Sequence, residues 1–245
     1  MFSKSTVKYI QSLQHKKFRD EEGVFVAEGP KLVKELLEGG VFTCRNIYAL
    51  AAWATDSKNI HSFSIDTIRD YELEKISSLS KPNQVLAVFE QKKAIVSPML
   101  KNKVTLALDD IQDPGNLGTI IRIADWFGIE NIACSLKTAD MYNSKVVQST
   151  MASLQRVNLI YTDIESWLKE QTVARYAATL NGEPLNSFNA LKEGIIIIGN
   201  ESKGVSDAVM KLVDKKITIP RIGEAESLNA AVATGIILYE IRNEK

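Results

Sequence analysis

The stretch VTLALDDIQDPGNLGTIIRIADWFG, residues 104–128, decides the fold of the longer part of the chain. It begins with a largely apolar run, as expected of a strand buried on both faces. The turn QDPGN follows, and apolar residues then recur at helical spacing. Gly128 stands where the end of a helix favours glycine. The pattern predicts a buried strand, a tight turn and a helix.

The same alternation continues towards the end of the chain. Strand patterns are NIACS, NLIYTD, RYAATL, GIIIIGNE and KKITIP, and helical patterns are NSKVVQSTMASLQ, IESWLKEQ, SDAVMKLV and SLNAAVATGIILYEIR. Strands that alternate with helices and consist of apolar runs indicate a mostly parallel sheet covered on both faces. We therefore predict an α/β domain over residues 104–245.

The first hundred residues predict a second, smaller α/β domain. Strand patterns are EGVFVAEG, NIYALAAWA and VLAVFEQ, and helical patterns are PKLVKELLEGG and TIRDYELEKISSL. Residues 92–103, KKAIVSPMLKNK, are polar and basic with a proline inside, which favours a linker. The predicted domains are therefore residues 1–91 and 104–245.

Composition excludes several classes of protein. The 245 residues can bury a core, but no apolar run approaches the roughly 20 residues that span a bilayer. The N-terminus has no apolar segment typical of a secretory signal. Two cysteines and two histidines are too few for a disulfide framework or a structural zinc site. We expect a cytoplasmic protein that binds no metal.

Charge gives one local indication of a nucleic-acid partner. The formal net charge is zero. The first 19 residues nevertheless contain five basic residues and no acid, namely Lys4, Lys8, Lys16, Lys17 and Arg19. Such an arm can lie along phosphates, and a solvated N-terminus explains it equally well.

Polar turns follow three of the predicted strands, and parallel α/β sheets bind ligands beyond such strand ends. In the first turn, Asn116 could cap the helix, and Arg122, about 120° from it, could be an ordinary surface arginine. In the second, Glu201 follows four isoleucines, where an unpaired carboxylate is costly. In the third, Ser227 is a natural N-cap, and capping alone does not explain Asn229 one turn inside the helix.

Several common ligand motifs are missing from the sequence. There is no G-x-G-x-x-G dinucleotide fingerprint and no G-x-x-x-x-G-K-[ST] phosphate loop. G-x-S-x-G is also absent, and neither histidine lies near the three turns, which argues against a serine hydrolase. A ligand at these turns is bound in another way.

Taken together, the three turns resemble a known family. DPGNLGTIIRIADWFG, IIIIGNESKGVSDAV and IPRIGEAESLNAAVATGIILYE, in this order, are similar to the three motifs of the SpoU/TrmH family of RNA ribose 2′-O-methyltransferases, which belong to the SPOUT class. The segment HKKFRDEEGVFVAEGPKLVKELLEGG resembles the small RNA-binding domain that precedes the catalytic domain in many members. The resemblance implies a SPOUT domain with a deep trefoil knot, a homodimer, and structured RNA as substrate, ribosomal RNA more than tRNA.

The resemblance also implies a cofactor and the residues that bind it. Family members hold S-adenosylmethionine in the knot. The positions that match this pocket, or neighbour it, are Thr179, Leu180, Gly199, Asn200, Gly204, Ile219 and Leu228.

Catalytic roles are implied in the same way. Arg122 matches the arginine thought to help deprotonate the target hydroxyl. A guanidinium is a poor base, so it would need help from the RNA phosphate or would act mainly by orienting and stabilising the emerging oxyanion. Asn116, Glu201, Ser227 and Asn229 match the remaining polar positions, which hold the reacting groups in line.

One segment departs from the family pattern. NSKVVQSTMAS usually reads closer to N-P-K-V-V-R-A-S-M-G-A, so Ser144, Gln148, Thr150 and Ala152 differ. Gln148 removes a positive charge that could contact RNA, so we expect an effect on RNA affinity or target choice.

Three alternatives remain open on sequence grounds. The chain could methylate the ribose of a tRNA, or it could be a non-catalytic RNA-binding or ribosome assembly factor with the same fold. It could also methylate a base nitrogen, although the D-P-x-N-x-G-x-x-x-x-R spacing favours ribose chemistry.

Overall fold

The computed structural model describes residues 2–56, 63–92, 100–188 and 190–242. Residues 93–99, which belong to the predicted linker, lie outside the described residues. Contacts divide the chain into two compact units, one of Met1–Lys93 with Asp140–Gln155 and one of Ala94–Ala139 with Arg156–Lys245. The domain boundaries at residues 91 and 104 stay a prediction.

Helices and strands are numbered in chain order. They are α1 (Lys4–Ser12), α2 (Lys16–Glu22), β1 (Val24–Glu28), α3 (Pro30–Gly39), β2 (Cys44–Ala49), α4 (Ala51–Asp56), β3 (Ile65–Thr67), α5 (Asp70–Ile76), β4 (Val85–Glu90), β5 (Val104–Asp109), α6 (Pro114–Trp126), β6 (Asn131–Ser135), α7 (Ser144–Thr150), β7 (Asn158–Thr162), α8 (Ile164–Lys169), β8 (Arg175–Pro184), β9 (Gly194–Gly199), α9 (Asp207–Met210), β10 (Lys215–Thr218) and α10 (Ala230–Arg242). Short 3₁₀ turns cover Ser153–Gln155 and Leu185–Ser187.

The first unit has a four-stranded sheet in the order β1-β4-β2-β3. Its central strand β4 is buried up to its last residue and pairs antiparallel with β1 and β2. The strands predicted at β1 and β4 and the helix predicted at α3 are confirmed. The strand predicted over NIYALAAWA is wrong in its second half. It ends at Ala49 and helix α4 starts at Ala51, because the alanine-rich sequence favours a helix.

The predicted basic N-terminal arm is folded into two helices, and one of its charges is structural. Arg19 is 3% exposed, donates to the carbonyl oxygens of Leu13 and Gln14 at 2.9 and 2.8 Å, and pairs with Asp140. Lysines of the same arm form i,i+4 pairs on the surface of α2. Arg19 is therefore not available to a phosphate.

The segment Asp140–Gln155 packs within the first unit. The ring of Tyr142 stacks on Phe25 with centroids 4.9 Å apart, and the Gln155 side-chain amide donates to the Glu35 carbonyl oxygen at 3.0 Å. Ala152, two residues after the end of helix α7, has a φ of +67°, in the left-handed region that favours glycine. The departure from the family's glycine at this position therefore has a backbone cost.

The second unit contains a six-stranded sheet in the order β10-β8-β9-β5-β6-β7. All neighbouring strands in it are parallel, which confirms the predicted mostly parallel sheet. Strands β5 and β9 lie at its centre, and Ile195–Ile198 of β9 are at most 3% exposed. Because the strands are parallel, the turns after β5, β6, β9 and β10 lie at one edge, here called the carboxyl edge.

The pairing of β8 with β10 shifts in register near that edge. Lys216 and Ile217 are adjacent in β10, yet they pair with Ala177 and Glu183, so residues 178–182 form a bulge that is skipped in the register. A Cβ on Gly182 would lie 2.6 Å from the backbone carbonyl carbon of Lys216, so the two strands approach too closely for any side chain. The trefoil knot stays a prediction.

The close approach at Gly182 gives a stability prediction. Gly182→Ala forces the backbones of β8 and β10 apart, and we expect a loss of about 1–3 kcal/mol in the free energy of unfolding, the usual cost of overpacking. Gly223→Ala is the control, because a Cβ there meets no atom within 4 Å. Urea unfolding of both variants measures the difference. Equal stability would contradict the close approach.

Candidate functional site at the carboxyl edge

Helix α6 begins directly after the first polar turn. The Asp113 side chain is its N-cap and accepts a hydrogen bond from the Asn116 backbone N–H at 2.8 Å, with Pro114 in the first turn. The idea that Asn116 caps this helix is therefore wrong. Asn116 lies inside the first turn, and its side chain is free for another role.

The Asn116 side chain joins the three polar turns. Its Nδ2 donates to Glu201 Oε1 at 2.6 Å, and its Oδ1 accepts from Asn229 Nδ2 at 2.8 Å. Glu201 follows β9 and is half-buried, so its carboxylate is paired, as its position after the isoleucines requires. We call these three residues the amide bridge. It places the ends of three separate sequence motifs within hydrogen-bond distance.

Helix α10 starts two residues later than its sequence suggests. Asn229 Oδ1 accepts from the backbone N–H groups of Ala231 and Val232 at 3.0 and 3.2 Å, and Asn229 is therefore the N-cap. The prediction that Ser227 is the cap and that Asn229 lies inside the helix is wrong. Asn229 caps α10 with its oxygen and joins the amide bridge with its nitrogen.

The turn after β9 is held by Asn200. Its Nδ2 donates to the Asp110 carbonyl oxygen at 2.8 Å, and its backbone exchanges hydrogen bonds of 3.0 and 2.8 Å with Gly204. Gly204 has a φ of +69°, and a Cβ on Gly199 would lie 2.2 Å from the Gly204 carbonyl carbon. Asn200 and the two glycines thus shape the backbone of this turn.

The remaining predicted cofactor residues lie on the bulge of β8 and after β10. Thr179 Oγ1 is buried and has no hydrogen-bond partner among the described residues. Leu180 and Leu228 are 65% and 47% exposed, and Ile219 is half-buried. An orphaned hydroxyl beside exposed apolar side chains suits a ligand with both polar and flat apolar parts. S-adenosylmethionine, with its adenosine and methionine parts, is of this kind.

Two predicted catalytic residues do not join the amide bridge. Arg122 is exposed on α6, and Ser227 is exposed in the loop before α10. Neither forms a hydrogen bond or ion pair within the part of the chain that the structure describes. Six residues separate Arg122 from Asn116, which is about 9 Å along a helix axis. The guanidinium is thus free to contact a ligand.

Two aspartates at the end of β5 were not predicted as site residues. Asp109 is 5% exposed, and its Oδ2 accepts from the Ser206 backbone N–H at 2.8 Å. Asp110 has a φ of +62° and bonds through its carbonyl oxygen to Asn200. The signal was present, because two aspartates directly after a buried strand need partners.

The structure gives no support to metal or thiol chemistry. Over residues 2–56, 63–92, 100–188 and 190–242, no group of three or more His, Cys, Asp or Glu residues could hold a metal ion. Burial raises the pKa of the Cys44 thiol to about 11 and also raises that of Cys134, so neither is a ready nucleophile. Among the described helices, none has the length and apolar character needed to cross a membrane.

The amide bridge gives a second prediction. Asn116→Leu leaves Glu201 without its donor and Asn229 without its acceptor, and we expect a loss of about 1–3 kcal/mol in unfolding free energy. Glu201→Gln keeps an acceptor oxygen and should be milder. Thr119→Ala, on the exposed side of the same helix, is the control. Urea unfolding that finds Asn116→Leu no less stable than Thr119→Ala would contradict the bridge.

Comparison with known proteins identifies the two parts of the chain. Residues 103–239 match the SpoU rRNA Methylase family, and residues 4–87 match the MRM3-like substrate binding domain. The 23S rRNA (guanosine(2553)-2′-O)-methyltransferase RlmP of Bacillus subtilis is 31% identical over an alignment of 245 positions, which covers 96% of this chain and 95% of that protein.

Solved structures agree with this assignment. A TrmH-family structure from Porphyromonas gingivalis is 34% identical with a TM-score of 0.87, covering 99% of this chain and 98% of its own. An AdoMet-bound rRNA methyltransferase from Sinorhizobium meliloti is 30% identical with a TM-score of 0.85, and the match covers 99% of this chain and 95% of that chain. The chain belongs to the SpoU rRNA methylase family.

Proposed function

We propose that this protein transfers a methyl group from S-adenosylmethionine to a ribose 2′-hydroxyl of ribosomal RNA. The observation that supports this most is the amide bridge, which brings polar residues of all three family motifs together at the carboxyl edge. The relative from Bacillus subtilis is named a 23S rRNA 2′-O-methyltransferase. A 23S rRNA (uridine(2479)-2′-O)-methyltransferase of Streptomyces viridochromogenes is 28% identical over 91% of this chain.

The cofactor is S-adenosylmethionine, which supplies a sulfonium methyl group that an oxygen nucleophile can displace. The bulge of residues 178–182 and the turn after β9 form its binding surface, with Leu180, Ile219 and Leu228 against the adenosine. Thr179 Oγ1 gains a polar partner there, since it has none among the described residues. Gly199 and Gly204 allow the backbone to approach, because no side chain fits at Gly199.

Arg122 acts on the hydroxyl that is methylated. A guanidinium keeps its proton at neutral pH, so Arg122 serves as a hydrogen-bond donor to the oxygen as negative charge develops. The amide bridge and Ser227 orient the ribose and the cofactor so that oxygen, methyl carbon and sulfur lie in line. Positioning of this kind supplies much of a rate enhancement when the methyl group is already activated.

The proposed site serves RNA bound through a separate domain. Residues 1–91 form the RNA substrate-binding domain, in agreement with the MRM3-like match over residues 4–87. Ribosomal RNA is the substrate in preference to tRNA, because the relatives cited above are named for 23S rRNA. The cytoplasm is the compartment in which we expect this reaction.

A homodimer is the proposed working unit. Val232, Ile236 and Tyr239 follow at i, i+4 and i+7 on α10 and are 51%, 39% and 58% exposed. Trp126, at the end of the neighbouring helix α6, is 85% exposed. An apolar helix face of this extent is typical of a protein interface. A second copy of the chain is the proposed occupant.

Methyl transfer tests the proposed activity directly. The protein, incubated with unmodified 23S rRNA and labelled S-adenosylmethionine, should place the label in RNA fragments that resist alkaline hydrolysis. A 2′-O-methyl group blocks cleavage of the RNA at its site. Arg122→Ala should lower kcat at least about 100-fold without changing cofactor affinity, as when an oxyanion donor is lost. Arg122→Lys, which keeps the charge, should also be strongly impaired.

The alternatives give different results in the same assay. Label recovered in mononucleotides after alkaline hydrolysis indicates methylation of a base, and label confined to tRNA indicates the other ribose substrate. Cofactor binding without label in any RNA contradicts the proposed reaction and favours a non-catalytic ribosome assembly factor.

The dimer gives a separate prediction. Ile236→Glu places a charge in the exposed apolar face of α10, and we expect it to convert the dimer into a 27.2 kDa monomer. Thr172→Glu adds the same charge on an exposed loop residue and should leave the dimer intact. Light scattering coupled to gel filtration measures the mass. A wild-type monomer that methylates RNA would contradict the dimer.

A further inference from the structure

One turn at the carboxyl edge has no role in the reaction described so far. It comprises residues 136–139 and follows Ser135, the last residue of β6, which is the parallel neighbour of β5. Neighbouring strands lie about 5 Å apart, so this turn is one strand spacing from the turn that begins at Asp110. It therefore lies at the carboxyl edge, which is the side of the sheet where the proposed reaction takes place.

Buried polar groups fix the backbone of this turn. Ser135 Oγ donates to Asp110 Oδ1 at 2.6 Å, accepts from the Asp110 backbone N–H at 3.0 Å, and lies 3.1 Å from Thr138 Oγ1. The Ala139 backbone N–H donates to the Ile111 carbonyl oxygen at 2.9 Å. Ser135 and Thr138 are each 6% exposed. Such a network is rigid because every member has a partner.

The network continues to the proposed cofactor turn. Asp110, which bonds Ser135, also accepts at its carbonyl oxygen from Asn200 Nδ2 at 2.8 Å. Asn200 directly precedes Glu201 of the amide bridge. Hydrogen bonds from the turn to Asp110 and Asn200, and the peptide link from Asn200 to Glu201, thus connect the turn to the amide bridge.

The two residues between Ser135 and Thr138 point away from the protein. Leu136 is 71% exposed, and the Lys137 side chain is 78% exposed with its Nζ 3.7 Å from Asp110 Oδ2. An exposed leucine alone is ordinary. Here an apolar side chain and a cation are adjacent on a rigid turn at the carboxyl edge.

We propose that Leu136 and Lys137 form an RNA contact that positions the strand around the target nucleotide. Leu136 packs against the face of an unstacked base, and Lys137 contacts a neighbouring phosphate, exchanging its weak pairing with Asp110. This assignment rests on the proposed function, because it takes the carboxyl edge as the place where RNA binds.

Binding of unmodified 23S rRNA to the full-length protein, measured over a series of salt concentrations, tests the contact. Leu136→Ser should weaken binding about 5- to 20-fold without changing the salt dependence, as expected for the loss of a buried apolar contact that carries no charge. Lys137→Ala should reduce the slope of log K against log salt by about 0.7–0.9, the value for one phosphate contact. Leu136→Met, which stays apolar, should bind as wild type does.

The control is Lys192→Ala. Lys192 is exposed just before β9 at the opposite edge of the sheet, so its loss should change neither the affinity for 23S rRNA nor the salt dependence of binding. Unchanged cofactor affinity in all variants shows that the site is intact. If Leu136→Ser and Lys137→Ala bind within about twofold of wild type with its salt slope, the contact is overturned while methylation by the wild type stands. A wild type that binds no 23S rRNA overturns both this contact and the proposed substrate.

Discussion

The side-chain amide of Asn116 is the interaction on which the site depends. Its two ends differ, since the nitrogen donates to Glu201 and the oxygen accepts from Asn229. That polarity leaves the Asn229 oxygen free to cap α10. A single asparagine therefore fixes where the glutamate lies after β9 and where the last helix begins. Neither a hydrophobic residue nor an aspartate could make both bonds.

The backbone imposes a second constraint at the same edge. Gly182 and Gly199 lie where other backbone segments approach too closely for a Cβ, and both are next to loops of the proposed cofactor site. Thr179, in the same strand as Gly182, has a buried hydroxyl that no described residue satisfies. Together they suit a small ligand held mainly by backbone, which explains how the chain can bind a nucleoside cofactor without a glycine-rich dinucleotide fingerprint.

The sheet and most helices of the second unit could be predicted from the sequence, because buried parallel strands consist of apolar runs that alternate with helical patterns. The helix starts could not. Asp113 and Asn116 are both good caps, as are Ser227 and Asn229, and only the tertiary partners of the asparagines decide between them.

Contacts distant in sequence were also beyond prediction. The residues Asp140–Gln155 read as part of the alternating α/β pattern, yet they pack in the first unit through Tyr142 and the buried pair of Arg19 with Asp140. No periodicity encodes such pairing. The family motifs could indicate the roles of Glu201 and Asn229, but only the structure places them on the same amide.

Hydrogen–deuterium exchange with and without S-adenosylmethionine tests most directly whether these elements form one site. Binding should slow exchange in residues 178–182, 199–204 and 219–229, which are far apart in sequence and meet only at the carboxyl edge. Residues at the opposite edge of the sheet should not change. Cofactor binding that leaves these three segments unprotected, or that protects a different face of the sheet, would contradict the proposed site.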